Sequence, residues 1–418
     1  MGSRERERER ENERQSERDT RICNIHIRIV ACARLRHIYF IKKEENKSFR
    51  KKAHRALYFL LTRKPRDHEM SAKPISVSSS LSSSICFRAA QRRIRQRSIV
   101  VAKASSTSSS ENADLVANLN SAFSIPSSVS FECDSSPYVY LTHKNGCTAK
   151  VYLFGANCAS WTQPSGDEVL FVRPDAKFDE SVPIAGGIPI CFPQFGMNGP
   201  MSQQHGFARN MRWEVIGTSA DVNPDDPEPA VMLSLKSNEE TKKMWPHDFE
   251  CTYEVTLRRD KLKCEFCVKN CAEDLKDELE FTAALHSYIE VVDATDSENV
   301  YAKGNLKGKS YMDKEIDAKN PPLLTYDKDR VTFGTKLVDS IFLNTDSEML
   351  LHVGNGAAVS VENTAGWRDF VVWNPHQNMP QCYKQFACVE NACAVKPVVL
   401  PGDGYVWKSE MNLTVVTL

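Results

Sequence analysis

Through much of the chain, apolar and polar residues alternate. In Tyr253, Val255 and Leu257, and again in Leu262, Cys264, Phe266 and Val268, every second side chain is apolar. Successive side chains of an extended segment point to opposite faces, so each run has one face for burial and one for water. Residues 258–261 separate the two runs, which predicts a hairpin. Shorter runs of the same kind lie at 138–141, 148–153, 231–235, 281–292, 370–373, 386–390 and 413–416. Asn145-Gly146, Gly166-Asp167 and Pro401-Gly402 punctuate them as turns. No long stretch carries a 3.6-residue period, and no internal repeat is found. Many strands and few helices predict an all-β domain of antiparallel sheets, a sandwich or a barrel, over 115–418. Within it, 222–230 reads as an acidic, Pro-rich loop facing solvent.

The overall charge changes this picture only once it is divided. The 418 residues carry 54 basic and 54 acidic side chains, yet everything before about Ser110 is strongly basic. Residues 3–18 read SRERERERENERQSER, a low-complexity run that a GA dinucleotide repeat would encode. Residues 1–69 are therefore read as an extension upstream of the true start. Met70 opens a second segment, with no acidic residue from Ser71 to Ser110 and an abundance of Ser and Arg. That is the composition of an organelle transit peptide, and the serines point to a plastid. Residues 70–114 are assigned as transit peptide and linker, which predicts location in the chloroplast stroma. The competing reading is a basic tail that binds nucleic acid, but the arginines lack the interleaved aromatics of such a surface. No apolar run approaches the ~18–20 residues of a membrane span. The 14 cysteines are scattered without a disulfide framework, so they read as free thiols in a reducing compartment.

Candidate chemistry concentrates in 183–213, PIAGGIPICFPQFGMNGPMSQQHGFARNMRW. Gly and Pro fix its backbone, and Gln204, His205, Arg209 and Asn210 follow within seven positions. Such a loop suits a polar ligand, whose donors must be held in place beforehand; a plain surface loop is the alternative. His286 lies in the run 281–292, where alternation places Thr282, Ala284, His286 and Tyr288 on one face. Small residues beside a histidine leave a hollow, although a satisfied core histidine fits as well. Glu390 ends the apolar run 386–390, where partial burial would raise its pKa and make it a better base. Asp339 is either a ligand contact or a turn residue. Cys264, Cys267 and Cys271 suggest zinc, but positions 264 and 267 of a strand face opposite ways, so no metal is assigned. Phosphate-loop, dinucleotide and serine-elbow patterns are absent from the sequence.

Taken together, GGIPICFPQFG, QQHGFARNMRW, ALHSYIEV, KGKSYMDK, VVWNPH and FACVEN resemble the aldose 1-epimerase family, in its hexose-6-phosphate mutarotase branch. The likeness runs through most of 129–418. It implies a β-supersandwich with a sugar bound in a shallow cleft on one sheet. By the same resemblance, His286 is similar to the family's general acid and Glu390 to its general base. Gln204, Arg209 and Asp339 then look like substrate contacts, with His205 as a further contact or support. The reaction implied is interconversion of α and β anomers of a hexose, without cofactor or metal, by a monomer whose partner is a small sugar or sugar phosphate. One position departs from the pattern. Phosphate-preferring members often carry Arg just before Gly-Gly-Ile-Pro, where this chain has Ala185; Arg173 or Lys177 could supply that charge. For that reason a non-catalytic carbohydrate-binding or regulatory module on the same fold is the alternative.

Overall fold

The computed structural model describes residues 109–418, apart from 198, 221–225 and 346. The extension 1–69, most of the leader and the tip of the acidic loop lie outside the described residues. Every named strand pairing is antiparallel. Two large sheets dominate, one of nine strands and one of eight, beside a four-stranded sheet. The expected hairpin is present as Phe249–Leu257 and Lys261–Asn270, with Leu257 opposite Leu262. Leu262, Cys264, Phe266 and Val268 are fully buried, while the residues between them reach solvent. Each large apolar side chain so buried contributes about 1.5–3 kcal/mol, an upper bound against a compact unfolded chain.

The two large sheets share one core. Phe192 lies at the end of the short edge strand Ile190–Cys191, and its ring meets Phe249 and Phe266 of the nine-stranded sheet at 5.5 and 5.9 Å. Phe281, from the eight-stranded sheet, meets Trp407 of the other at 5.5 Å. This is sheet-on-sheet packing, in which side chains from two inner faces interdigitate.

Three expectations are corrected. First, a helix exists at Ser109–Phe123, with Leu119 and Phe123 buried and Leu115 and Val116 packed against the core. Positions 115, 116, 119 and 123 share a helix face, a short period hidden beside the longer β pattern. The globular unit therefore starts within the segment read as linker. Second, 281–292 is not one strand. It forms Leu279–Leu285 and Tyr288–Glu290, interrupted at His286-Ser287. Third, Glu390 does not end a strand. Phe386–Leu400 is 15 residues long, and its first nine residues are buried on both faces. A central strand covered on both sides reads as a continuous apolar run, so no polar position marks where it continues.

Candidate active site

Phe386–Leu400 builds the floor of a cavity. Ala387, Val389 and Cys393 point into the shared core, and Phe386, Cys388, Ala392 and Ala394 pack on the opposite face. Glu390 has the parity of this outer face. On the neighbouring strands, Leu285 faces Asn391 and Tyr288 faces Cys388. The register is the same on both sides of the interruption, so the two positions between set His286 against Glu390. His286 Nδ1 lies 3.3 Å from Glu390 Oε1. The pair is thus a cross-strand pair, made by register between residues far apart along the chain.

The interruption frees the backbone of His286 from the ladder. Its N–H donates instead to the carbonyl of Pro189 at 3.0 Å, and the Ser287 hydroxyl donates to the carbonyl of Val389 at 3.0 Å. Ser287 is thereby held inward and His286 outward. Ala284 and Tyr288 share the outward face with His286, as alternation predicted. The Tyr288 ring stacks on the imidazole at 4.7 Å and 11°, and Trp373 closes edge-on at 5.7 Å.

Residues 186–213 form the wall. Gly187 has a φ of 69°, and a Cβ there would lie 2.4 Å from the carbonyl of Cys158. His205 also occupies the left-handed region, at a φ of 63°, which is uncommon for a side chain of its size. It is held there on both sides of its ring and backbone. Its N–H donates to the Gly196 carbonyl at 2.8 Å, and its Nδ1 accepts from Gly196 N–H at 3.0 Å. With Nδ1 accepting, the ring proton sits on Nε2, which makes His205 a neutral donor. Arg209 comes from a short turn, Ala208–Asn210, and donates to the Gln204 carbonyl at 2.8 Å. Asp339 lies in the strand Val338–Phe342, not in a turn, and pairs with Lys314 at 3.0 Å.

The cavity encloses about 330 Å³ and brings together the six residues given site roles from sequence, Gln204, His205, Arg209, His286, Asp339 and Glu390; Asn210 does not border it. Gln204 is exposed at its rim. Sequence reasoning missed Lys314, Tyr288 and Trp373. All three lie inside quoted motifs, KGKSYMDK, LHSY and VVWN, so the signal was present without a residue chosen. Arg173 also borders the cavity beside Ala185, whose carbonyl accepts from Arg173 N–H at 2.9 Å. Lys177 does not border it.

Burial dominates the electrostatics. It holds the His286 imidazole down to about 3, with Arg209 and Lys314 adding repulsion. It holds His205 down to about 2, with His286, Arg209 and Lys314 contributing. Glu390 is pushed well above the usual carboxylate range by burial, then by Asp339, with Lys314 opposing. Asp339 is raised by burial despite Lys314. For the coupled pair, neutral imidazole with carboxylic acid holds the same number of protons as imidazolium with carboxylate. His286 and Glu390 thus hold one transferable proton between them.

With this geometry in place, comparison with known proteins decides the family. The family model for aldose 1-epimerase matches residues 137–414. The chain belongs to the aldose 1-epimerase family. Its activity is interconversion of the α and β anomers of an aldohexose. A relative from Cenchrus ciliaris is 32% identical over 292 residues, 66% of this chain and 84% of the relative. One from Salmonella typhimurium is 34% identical over 265 residues, 60% of this chain and 81% of the relative. Both carry the provisional name glucose-6-phosphate 1-epimerase. A solved Salmonella typhimurium structure, provisionally named a mutarotase, superposes with a TM-score of 0.60 at 26% identity, covering 71% of this chain and 96% of that one. A galactose mutarotase-like protein from Clostridium acetobutylicum shares the fold at a TM-score of 0.57 and 17% identity, covering 69% and 98%.

Proposed function

We propose that this epimerase acts on a hexose 6-phosphate, with His286 as acid and Glu390 as base. The observation that carries the assignment is the 3.3 Å cross-strand contact between them on the cavity floor. The sequence leads us to expect the imidazole and the carboxylate on opposite sides of the sugar; instead they stand side by side, 3.3 Å apart. The ring oxygen and the anomeric hydroxyl are both bonded to C1, so adjacent groups on one floor can reach both.

Ring opening starts from the form with the proton on His286. The imidazolium protonates the ring oxygen as the C1–O5 bond breaks. Glu390 takes the proton of the anomeric hydroxyl, and its electron pair forms the aldehyde. The pair is then neutral imidazole and carboxylic acid, the form that burial favours. Rotation about C1–C2 presents the other face of the aldehyde. Closure reverses both transfers, so protons balance over the cycle. Fixed by the hydrogen bond to its Nδ1, His205 presents Nε2–H as a donor beside His286, whose ring lies 5.5 Å away.

A phosphate finds three cations around this cavity, Arg173, Arg209 and Lys314. Arg173 pairs with Asp175 through Nε and Nη2, which leaves Nη1 for a ligand oxygen. It stands next to Ala185 and supplies charge where the family's arginine is missing. The test is mutarotation of freshly dissolved α-glucose 6-phosphate and α-glucose, followed by polarimetry or exchange NMR. Phosphate recognition predicts a kcat/KM advantage of at least about tenfold for the phosphorylated sugar, the scale of one charge-assisted contact. Equal values for the two sugars would refute the phosphate reading, and binding of both without acceleration would favour the non-catalytic module.

A further inference from the structure

The same floor holds a third chemically active group. Cys388 is two residues from Glu390 on the same strand, so the two side chains leave on the same face. A ring nitrogen of His286, the Cys388 sulfur and a Glu390 oxygen all lie within 4.8 Å of one another. The cysteine is fully buried, and His286 and Glu390 are 8% and 1% exposed. His286 Nδ1 and Glu390 Oε2 are buried without any hydrogen-bond partner. Buried polar atoms are ordinarily satisfied, so two orphans turned into one space mark a place built to receive something.

We propose that His286, Cys388 and Glu390 form a binding site for a thiophilic divalent cation of the zinc class, and that its occupation switches anomer exchange off. Zinc bonds of about 2.0–2.3 Å to nitrogen, oxygen and sulfur set tetrahedral ligand separations of about 3.3–3.7 Å. The His286–Glu390 separation of 3.3 Å already fits. Only the sulfur must close in, by about 1 Å at most, within the reach of a cysteine rotamer. Thiolate and carboxylate together neutralise a divalent ion, and both the thiol proton and the one proton shared by His286 and Glu390 pass to solvent on binding. Arg209 and Lys314 stand nearby, but Lys314 is already compensated by Asp339. A sulfur and a nitrogen donor select zinc, cobalt or cadmium over magnesium and calcium, which require oxygen shells. The fourth position opens to the cavity. A metal here occupies both proton-transfer groups at once, so it inhibits the reaction; that consequence rests on the roles proposed above, whereas the binding does not.

The test uses the full chain with Cys133 and Cys271, the exposed thiols among the described residues, and Cys23, Cys32 and Cys86, which lie outside them, all changed to Ser. Cobalt(II) is titrated first. One equivalent should produce a thiolate-to-cobalt charge-transfer band in the near ultraviolet, lost in Cys388→Ala and in His286→Asn. Zinc is then titrated during mutarotation of α-glucose 6-phosphate. It should abolish turnover and be reversed by a chelator, while Cys388→Ala, measured against its own zinc-free rate, should need at least ~30-fold more of it for inhibition. A cobalt band that survives Cys388→Ala overturns the proposal. So does failure to bind one equivalent, or equal zinc sensitivity in wild type and variant. A chain that binds cobalt through Cys388 but accelerates mutarotation of no hexose would defeat the proposed function and leave the metal site standing.

Discussion

Glu390→Gln is the sharpest perturbation of the proposed chemistry. The change keeps side-chain volume and one oxygen, so the floor beneath the sugar stays filled. It removes the capacity to take a proton from the anomeric hydroxyl. A positioned acid or base contributes ~10²–10⁴-fold, so kcat should fall about 10³-fold, equivalent to about 4 kcal/mol of barrier. Stability should move the other way. Glu390 is 1% exposed, and its Oε2 has no hydrogen-bond partner. An amide cannot ionise there, so the variant carries no charge to desolvate, and its Tm should equal or exceed that of the wild type. Polarimetry on fresh α-anomer gives the rate, and a thermal melt gives the stability. Glu390→Asp adds a control, since it keeps the acid but withdraws it by one methylene from both His286 and the sugar. A Gln variant within tenfold of wild type, with its Tm intact, would show that the cross-strand pair is not the proton-transfer device.

Three further outcomes follow from other parts of the molecule. Gly206→Ala should cost at least about 3 kcal/mol and leave little folded protein, because Gly206 has a φ of 69° and a Cβ would meet the Phe192 carbonyl oxygen at 2.2 Å; a soluble, active variant with unchanged Tm would contradict this. Glu254→Gln should stabilise at high pH. Glu254 stands opposite Glu265 on the adjacent strand, and burial together with that charge pushes it up to about 7. A folded-state pKa raised above the unfolded value gives stability that is present below about pH 4.5 and lost as pH rises through 7. The Tm gain from the amide should therefore be a few degrees at pH 8, about 3 kcal/mol at most, and vanish near pH 4; a pH-independent difference would show that ionisation of Glu254 is not the cause. Finally, we propose that a plastid leader starts at Met70 and ends before the helix Ser109–Phe123, and amino-terminal sequencing of protein from the native organelle should find a start downstream of Met70; a start upstream of it would refute that reading.

The fold and the site differed in how legible they were. Strand positions were readable because period two follows directly from the pleat: Leu262 to Val268 alternated in sequence and alternate in burial. The face shared by Thr282, Ala284, His286 and Tyr288 survived even the break in the strand, since parity outlasts two unpaired residues. The family motifs located the six chosen residues, and all six border the cavity. What could not be read was pairing. Nothing local states that 285 faces 391, because register between distant strands is fixed by the whole core. The ion pair of Lys314 with Asp339, and the closeness of Cys388 to His286, therefore became visible only in three dimensions. The helix Ser109–Phe123 escaped for a different reason: its apolar positions span barely two turns beside a Ser-rich leader whose composition masks them.

The interruption at His286-Ser287 explains how loop and floor act as one device. A continuous strand would spend the His286 backbone on the ladder. Broken there, the strand gives that N–H to Pro189, and the neighbouring residues Leu285 and Ala284 pair with Ile190 and Cys191. Thr282 then accepts from Phe195 N–H at 2.7 Å, and its own N–H donates to the Pro193 carbonyl at 3.1 Å. The segment from Pro189 to Phe195 is thus sewn along the edge of the sheet that carries the proton-transfer pair. His205 and Arg209 follow from it, with Phe192 N–H donating to the His205 carbonyl and Ala208 N–H donating to the Phe192 carbonyl, each at 3.1 Å. The wall is in this way indexed to His286 and Glu390 on the floor, mostly through backbone bonds, which side-chain substitutions leave in place, together with the Thr282 hydroxyl. A change at Ala185 or Arg173, which border the cavity, then leaves the 3.3 Å contact between His286 and Glu390 undisturbed.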